Sequence, residues 1–182
     1  MKRFLVLLSV LMPMLVMAQN LQPFQHKNGK WGYKVGEEEV VIKPKFERAK
    51  DFYEKYAFVC YRGLWGIIDL EGKFQVEPKY IGVEDTYLSY ASVKLDGKLG
   101  IVNRKFEITP IKYDQILFIQ NNYYNALVRL ENKWGIVSLT KGNELGAIRF
   151  DAIEPLANNR FKAMIDGKYG VLDANGREII PV

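Results

Sequence analysis

The chain has one cysteine and one histidine in 182 residues. Cys60 alone cannot form an intramolecular disulfide, and it lies in an alternating apolar run, which predicts a buried structural thiol. His26 alone cannot supply the clustered ligands of a zinc or iron site, and no serine or cysteine motif accompanies it as a nucleophile. An excess of one charge is also missing. Lys and Arg number 26 against 21 Asp and Glu, a net +5 that is too small to point to nucleic acid. No segment keeps a helical apolar period beyond a turn or two. There is no P-loop, because closely spaced glycines fall inside hairpin-like stretches and not between a strand and a helix. These absences leave no catalytic residue, no metal ligand set and no cofactor to expect.

One long apolar run exists, at the start. Lys2 and Arg3 precede the stretch Phe4 to Met17, and Val16-Met17-Ala18 follows with small residues where a signal peptidase reads. That is the pattern of a secretory signal peptide. The run falls short of the roughly 20 residues a bilayer span needs. Residues 1–18 are therefore expected to be removed after Ala18, with no cysteine following to be acylated. The mature chain, residues 19–182, is expected to be one exported domain, periplasmic or secreted, with no stable membrane span. Loss of Lys2 and Arg3 lowers its net charge from +5 to +3.

What the chain does have is a repeat. Trp31-Gly32, Trp65-Gly66, Leu99-Gly100, Trp134-Gly135 and Tyr169-Gly170 recur at steps of 34, 34, 35 and 35 residues. A fixed step of this size marks small units that stack to complete each other's core. Each unit begins with alternating residues such as Tyr56 to Tyr61, which read as a half-buried strand. A tight turn follows, as in Asp96-Gly97 and Asp166-Gly167, with Glu131-Asn132 as a variant; such turns need positive φ. The second strand carries the aromatic-glycine pair. Glycine inside a strand marks a bulge or a close approach, so a neighbouring unit is expected to pack over it. A second turn, Asp69 to Gly72 or Asp173 to Gly176, leads to a third strand that ends in proline, and proline is expected to mark where that strand leaves the sheet.

These elements predict an all-β array of about five antiparallel meanders of three strands each, forming an open or partly curled stack; a small closed β-propeller is the alternative. Trp31, Trp65, Trp134 and Tyr169 are expected in the core. The paired acids Glu37-Glu38-Glu39 and Glu84-Asp85 are candidates for glycosidic chemistry only in the sense that such chemistry needs two carboxylates. The first reads as a solvated turn and the second as part of a link. Calcium in the Asp/Asn turns would need several carboxylates converging in one loop, which Asp69, Asn103, Ser138 and Asp173 do not repeat.

The motif Lys-Trp-Gly-Ile-Val/Ile-Asp, then a glycine turn, then Ile/Val-x-Pro-x-Tyr/Phe-Asp-x-Ile resembles the WG-containing repeat over about residues 27–182. Leu99 departs from it, and the third and fourth units shift the spacing around proline by a residue or two. The resemblance implies an all-β repeat protein with no defined catalytic residues. Binding is then expected on features outside the packing pattern. Tyr53, Tyr87, Tyr123 and Tyr124 are non-repeating aromatics in the links between units, where repeat scaffolds place recognition. Lys45, Lys79, Lys112 and Arg149 each precede an aromatic at equivalent points. Strand alternation would turn the aromatics inward and the cations outward as a ladder, either guarding an edge or offering a groove to an acidic polymer. The function expected is an interaction scaffold for a protein or cell-envelope glycan. A glycan hydrolase using loop carboxylates and a structural envelope spacer are the alternatives.

Overall fold

The computed structural model describes residues 21–87, 90–102, 106, 109–120, 122 and 124–182, and of residues 85–87 the backbone only. The segment expected to be a signal peptide lies outside the described residues. Every described regular element is a strand. The strands form five antiparallel sheets, one for each aromatic-glycine pair. The first holds β1 (Leu21–Gln25), β2 (Trp31–Val35) and β3 (Glu39–Phe46). The second holds β4 (Arg48–Ala49), β5 (Ala57–Tyr61), β6 (Leu64–Ile68) and β7 (Phe74–Tyr80). The third holds β8 (Gly82–Tyr87), β9 (Tyr90–Leu95) and β10 (Lys98–Val102). The fourth holds β11 (Gln115–Phe118), β12 (Asn125–Leu130) and β13 (Lys133–Ser138). The fifth holds β14 (Ala152–Leu156), β15 (Arg160–Ile165), β16 (Lys168–Leu172) and β17 (Glu178–Ile180). Strand order within each sheet follows chain order, so each is a simple meander. The chain divides into two compact units at Gly82/Val83.

The full meander has four strands, as β4 to β7 and β14 to β17 show, where the sequence predicts three. The additional strand is the first of each sheet: β4, β8, β11 and β14. It comes from segments read as loose links. These strands are short, and few of their side chains are buried, such as Ile116 and Ile153, so they carry little alternation of their own.

The hairpin turns follow the sequence. Arg62-Gly63, Asp96-Gly97, Glu131-Asn132 and Asp166-Gly167 all have positive φ at both central positions. This geometry matches the twist of the flanking strands. The second turn is tied by its aspartate. Asp69 Oδ1 accepts from the Glu71 and Lys73 N–H groups at 3.1 and 2.9 Å. Asp173 Oδ1 accepts from Asn175 and Arg177 at 2.8 and 2.9 Å.

The glycine of each pair is crossed by the segment that follows it in its own repeat, not by a neighbouring unit: β3, β7 and the end of β17 over Gly32, Gly66 and Gly170, Thr109 and Ile111 beside Gly100, and Ile148 beside Gly135. On β2, Trp31 pairs with Phe46 and Tyr33 with Ile42, so one residue opposes three. On β6, Trp65 pairs with Tyr80 and Ile67 with Val76 in the same way. The extra residues bulge over the glycine. A Cβ on Gly66 would stand 2.6 Å from Val76 O and 3.0 Å from Pro78 N. Pro44 and Pro78 therefore lie within their strands, at the bulge, where a missing N–H costs no ladder bond. The expectation that proline ends the strand is corrected at Pro44 and Pro78, and holds at Pro181, which directly follows β17.

Within each compact unit, the core is built as slabs between the apolar faces of successive sheets. In the first compact unit, Tyr33, Ile42 and Phe46 of the first sheet pack with Ala57, Val59 and Ile68 of the second. In the second, Leu99, Ile101 and Tyr113 pack with Ile116, Ala126, Val128 and Val137. Then Leu127, Ile136 and Phe150 pack with Ile153, Phe161, Ala163 and Leu172. Burying each such side chain is worth roughly 1.5–3 kcal/mol, so these slabs outweigh any single polar contact in the molecule.

Candidate functional site

The recurring cations are anchored twice. The aromatic that follows each is buried: Phe46, Tyr80, Tyr113 and Phe150. The cation folds back over that ring, with Lys45, Lys79, Lys112 and Arg149 at 5.1, 5.3, 5.7 and 5.0 Å from the ring centres. A cation at this range over an aromatic face is held by the ring quadrupole. Three of the four also reach the next repeat. Lys45 Nζ donates to Gly72 O at 3.4 Å. Lys112 pairs with Glu144 at 2.8 Å, and Arg149 pairs with Glu178. Tyr113 OH donates to the same Glu144 oxygen at 2.9 Å. Burial works against the charge on Glu144, but Lys112 and Tyr113 outweigh it and hold its carboxyl below the usual range.

A second recurring device flanks the first, third and fourth aromatic-glycine pairs. Lys30 and Glu47 pair at 2.9 Å; Lys98 pairs with Asp114 and Lys133 with Asp151. The acid then reaches forward. Asp114 Oδ2 accepts from the Glu131 N–H at 2.9 Å, and Asp151 Oδ2 from the Asp166 N–H at 2.7 Å, both at the hairpin turn of the next repeat. The acid's own N–H donates to that repeat too: Glu47 to Cys60 O, Asp114 to Arg129 O and Asp151 to Met164 O, each at 2.8 Å. The lysines hold Glu47, Asp114 and Asp151 below their ordinary pKa values. A lysine before the Trp/Leu-Gly pair followed by an acid after the third-strand aromatic was the sequence signal available for this clamp. The second repeat carries Leu64 and Ile81 at the same two positions.

Of the link aromatics, Tyr53 is 40% exposed and Tyr124 57% exposed. Tyr53 exchanges backbone hydrogen bonds with Tyr56 in a small bridge. Tyr124 donates its N–H to Asn122 Oδ1 at 3.0 Å. Tyr87 ends β8, but its side chain is outside the described residues, as is Tyr123. Tyr53 lies in the first compact unit and Tyr124 in the second.

The core assignment of the repeated aromatics holds unevenly. Trp65 is 8% exposed; Trp31 and Trp134 are half-buried against their slabs. Tyr169 is 57% exposed, which corrects its placement in the core. Lys162 Nζ lies over its ring at 4.5 Å. Cys60 is buried, and burial pushes its thiol pKa up. His26 and Glu37 to Glu39 are exposed. Glu84 pairs with Lys94 at 2.9 Å. Among the described residues no three His, Cys, Asp or Glu side chains converge as a metal site, and no helix is long and apolar enough to cross a membrane.

No curated protein sequence matches the chain. Among solved structures it is similar to Kluyveromyces lactis Hsv2, at 10% identity and TM-score 0.46, over 88% of this chain and 62% of that one. It is likewise similar to the N-terminal domain of Nup159, at 10% identity and TM-score 0.42, over 88% of this chain and 57% of that one. The chain thus spans less than two thirds of either structure. The family model for the WG containing repeat matches residues 31–65, 65–98, 100–134 and 140–169, and the chain belongs to that family.

Proposed function

We propose that this chain is an exported, non-catalytic scaffold that binds a protein or a cell-envelope glycan through its inter-repeat links. The supporting observation is a division of labour among its side chains. Most of the recurring cations and acids are spent on joining one repeat to the next, whereas Tyr53 and Tyr124 in the links remain exposed. An exposed tyrosine on a well-held loop offers a broad, rigid contact at low entropic cost, suited to a sugar face or a protein surface.

The test is capture by immobilised residues 19–182 from envelope extract and from purified glycans. Stoichiometric retention that a Tyr53→Ala/Tyr124→Ala variant loses, at unchanged melting temperature, supports the reading. Release of cut glycan without retention would instead mean hydrolysis. Export is tested by mass spectrometry of the secreted or periplasmic protein, which should begin at Gln19. A chain retaining Met1 in the membrane fraction removes that part of the proposal.

A further inference from the structure

Two Asn-Gly pairs occur in the chain, Asn28-Gly29 and Asn175-Gly176. Both hold the same places in one type of turn, formed by residues 26–30 and 173–177. The glycine N–H donates back to the opening residue, Gly29 to His26 O at 2.9 Å and Gly176 to Asp173 O at 3.0 Å. The opening N–H donates across the turn, His26 to Lys30 O at 2.9 Å and Asp173 to Arg177 O at 2.8 Å. The glycines have φ of 79° and 75°, and both asparagines are exposed. The two backbones therefore match, and the side chains do not.

The difference begins at the opening residue. Asp173 Oδ1 accepts two N–H groups, from Asn175 and Arg177. His26 takes that place in the first turn, and a ring nitrogen has only one lone pair to offer. Its Nδ1 accepts from the Asn28 N–H at 3.4 Å. The Lys30 N–H is left over and donates to Asn28 Oδ1 at 3.0 Å. That bond folds the asparagine side chain across the peptide that follows it and polarises the amide carbonyl. The surroundings differ as well. In the last turn Ala174 O accepts from the buried Asn125 Nδ2 at 2.9 Å, and a Cβ on Gly176 would collide with Leu145 O. A Cβ on Gly29 would meet nothing within 4 Å.

We propose that Asn28 is a site of spontaneous covalent modification and that its counterpart Asn175 is protected. The Gly29 nitrogen gives its proton to solvent base and bonds to Asn28 Cγ. The Cγ–Nδ2 bond breaks, and the side-chain amide leaves as ammonia. Solvent water then opens the cyclic imide at one of its two carbonyls, leaving aspartate or isoaspartate, with no change of oxidation state. Attack requires the glycine N–H to leave its carbonyl, so the turn must open. The first turn opens by itself, whereas the last must also pull away from Asn125 and Leu145 of the fourth repeat. The product places a new negative charge at the turn between β1 and β2, beside Lys27 and Lys30. This inference is independent of the link-mediated binding proposed above.

The test follows both Asn-Gly peptides by mass spectrometry while the purified chain stands in mildly alkaline buffer. Conversion adds about one mass unit. In the folded chain Asn28 should convert about fivefold or more faster than Asn175, and in concentrated urea the two should convert at similar rates. His26→Asp should slow Asn28 in the folded chain and leave its rate in urea unchanged, which separates positioning by the turn from an effect of the neighbouring sequence. Equal rates in the folded wild-type chain overturn the proposal. So does an Asn28 that stays intact while the unfolded chain converts, or a folded His26→Asp chain that reacts as fast as the wild type.

Discussion

The second repeat and its neighbours solve one junction by opposite chemistry. In the first, third and fourth repeats a lysine before the aromatic-glycine pair meets an acid after the third-strand aromatic. In the second, those places hold Leu64, half-buried, and Ile81, 52% exposed. Both partners change together, so neither a lone buried cation nor a lone acid is left behind. The strand geometry around them does not change: Trp65 still pairs with Tyr80, and the proline bulge still crosses Gly66. The aromatic pair and the bulge therefore define the repeat, and the ion pair is an accessory. That ranking fits the magnitudes, since a partly exposed ion pair contributes about 0–1 kcal/mol and a buried aromatic several times more.

The comparison can be pressed hardest at tryptophan. Trp65→Ala should cost about 3–5 kcal/mol in chemical denaturation, and Trp134→Ala, half-buried in a clamped repeat, less. Equal losses would show that depth of burial does not separate the two repeats. The glycines give the next largest effect. A Cβ on Gly66 meets backbone at 2.6 Å (Val76 O), whereas on Gly135 the nearest backbone atom is Ile148 Cα at 3.1 Å, behind the Ile148 side chain. Gly66→Ala should cost about 3 kcal/mol and Gly135→Ala about 1.

Acid should act on the clamped repeats alone. Glu47, Asp114 and Asp151 titrate below their ordinary values of 4.5, 3.8 and 3.8 in the folded chain. Folding thus favours the deprotonated form. Its stabilisation is complete above those ordinary values and is lost as pH falls through the lower folded ones. Asp151→Asn should flatten the acid limb of melting temperature against pH, while Ile81→Asn should leave its shape unaltered. The smallest effect is expected from rebuilding the clamp. Leu64→Lys with Ile81→Asp should change stability by less than about 1 kcal/mol, with a positive coupling between the two substitutions in a double-mutant cycle. A coupling of zero would mean that the ion pair depends on more than these two positions.

The repeat, its all-β character and its hairpin turns were legible because each is local. Asp96-Gly97 states its own positive φ, and an aromatic beside glycine states its own spacing. The bulge was not, since nothing near Gly32 reveals that Pro44 crosses it; that depends on the register of a later strand. Nor was the exposure of Tyr169, because its burial would come from a neighbour and not from its own sequence. The candidate contacts divide on the same line. The exposure of Tyr53 and Tyr124 follows from their place in the links. The destinations of Lys45 and Arg149 lie 27 and 29 residues further along the chain, beyond any pattern read within one unit.

The slabs between successive sheets also bear on how this chain forms. Each slab is sealed by residues one repeat apart, so its contacts close loops of a few tens of residues, and loop-closure entropy grows only slowly with length. A hairpin that has formed offers the next one a finished surface, and the structure can grow by accretion from any pair of neighbours. The natural unit of change for such a chain is then the whole repeat. Adding or removing about 34 residues in register preserves every remaining slab, whereas deleting one residue within a strand turns its apolar side chains to the wrong face.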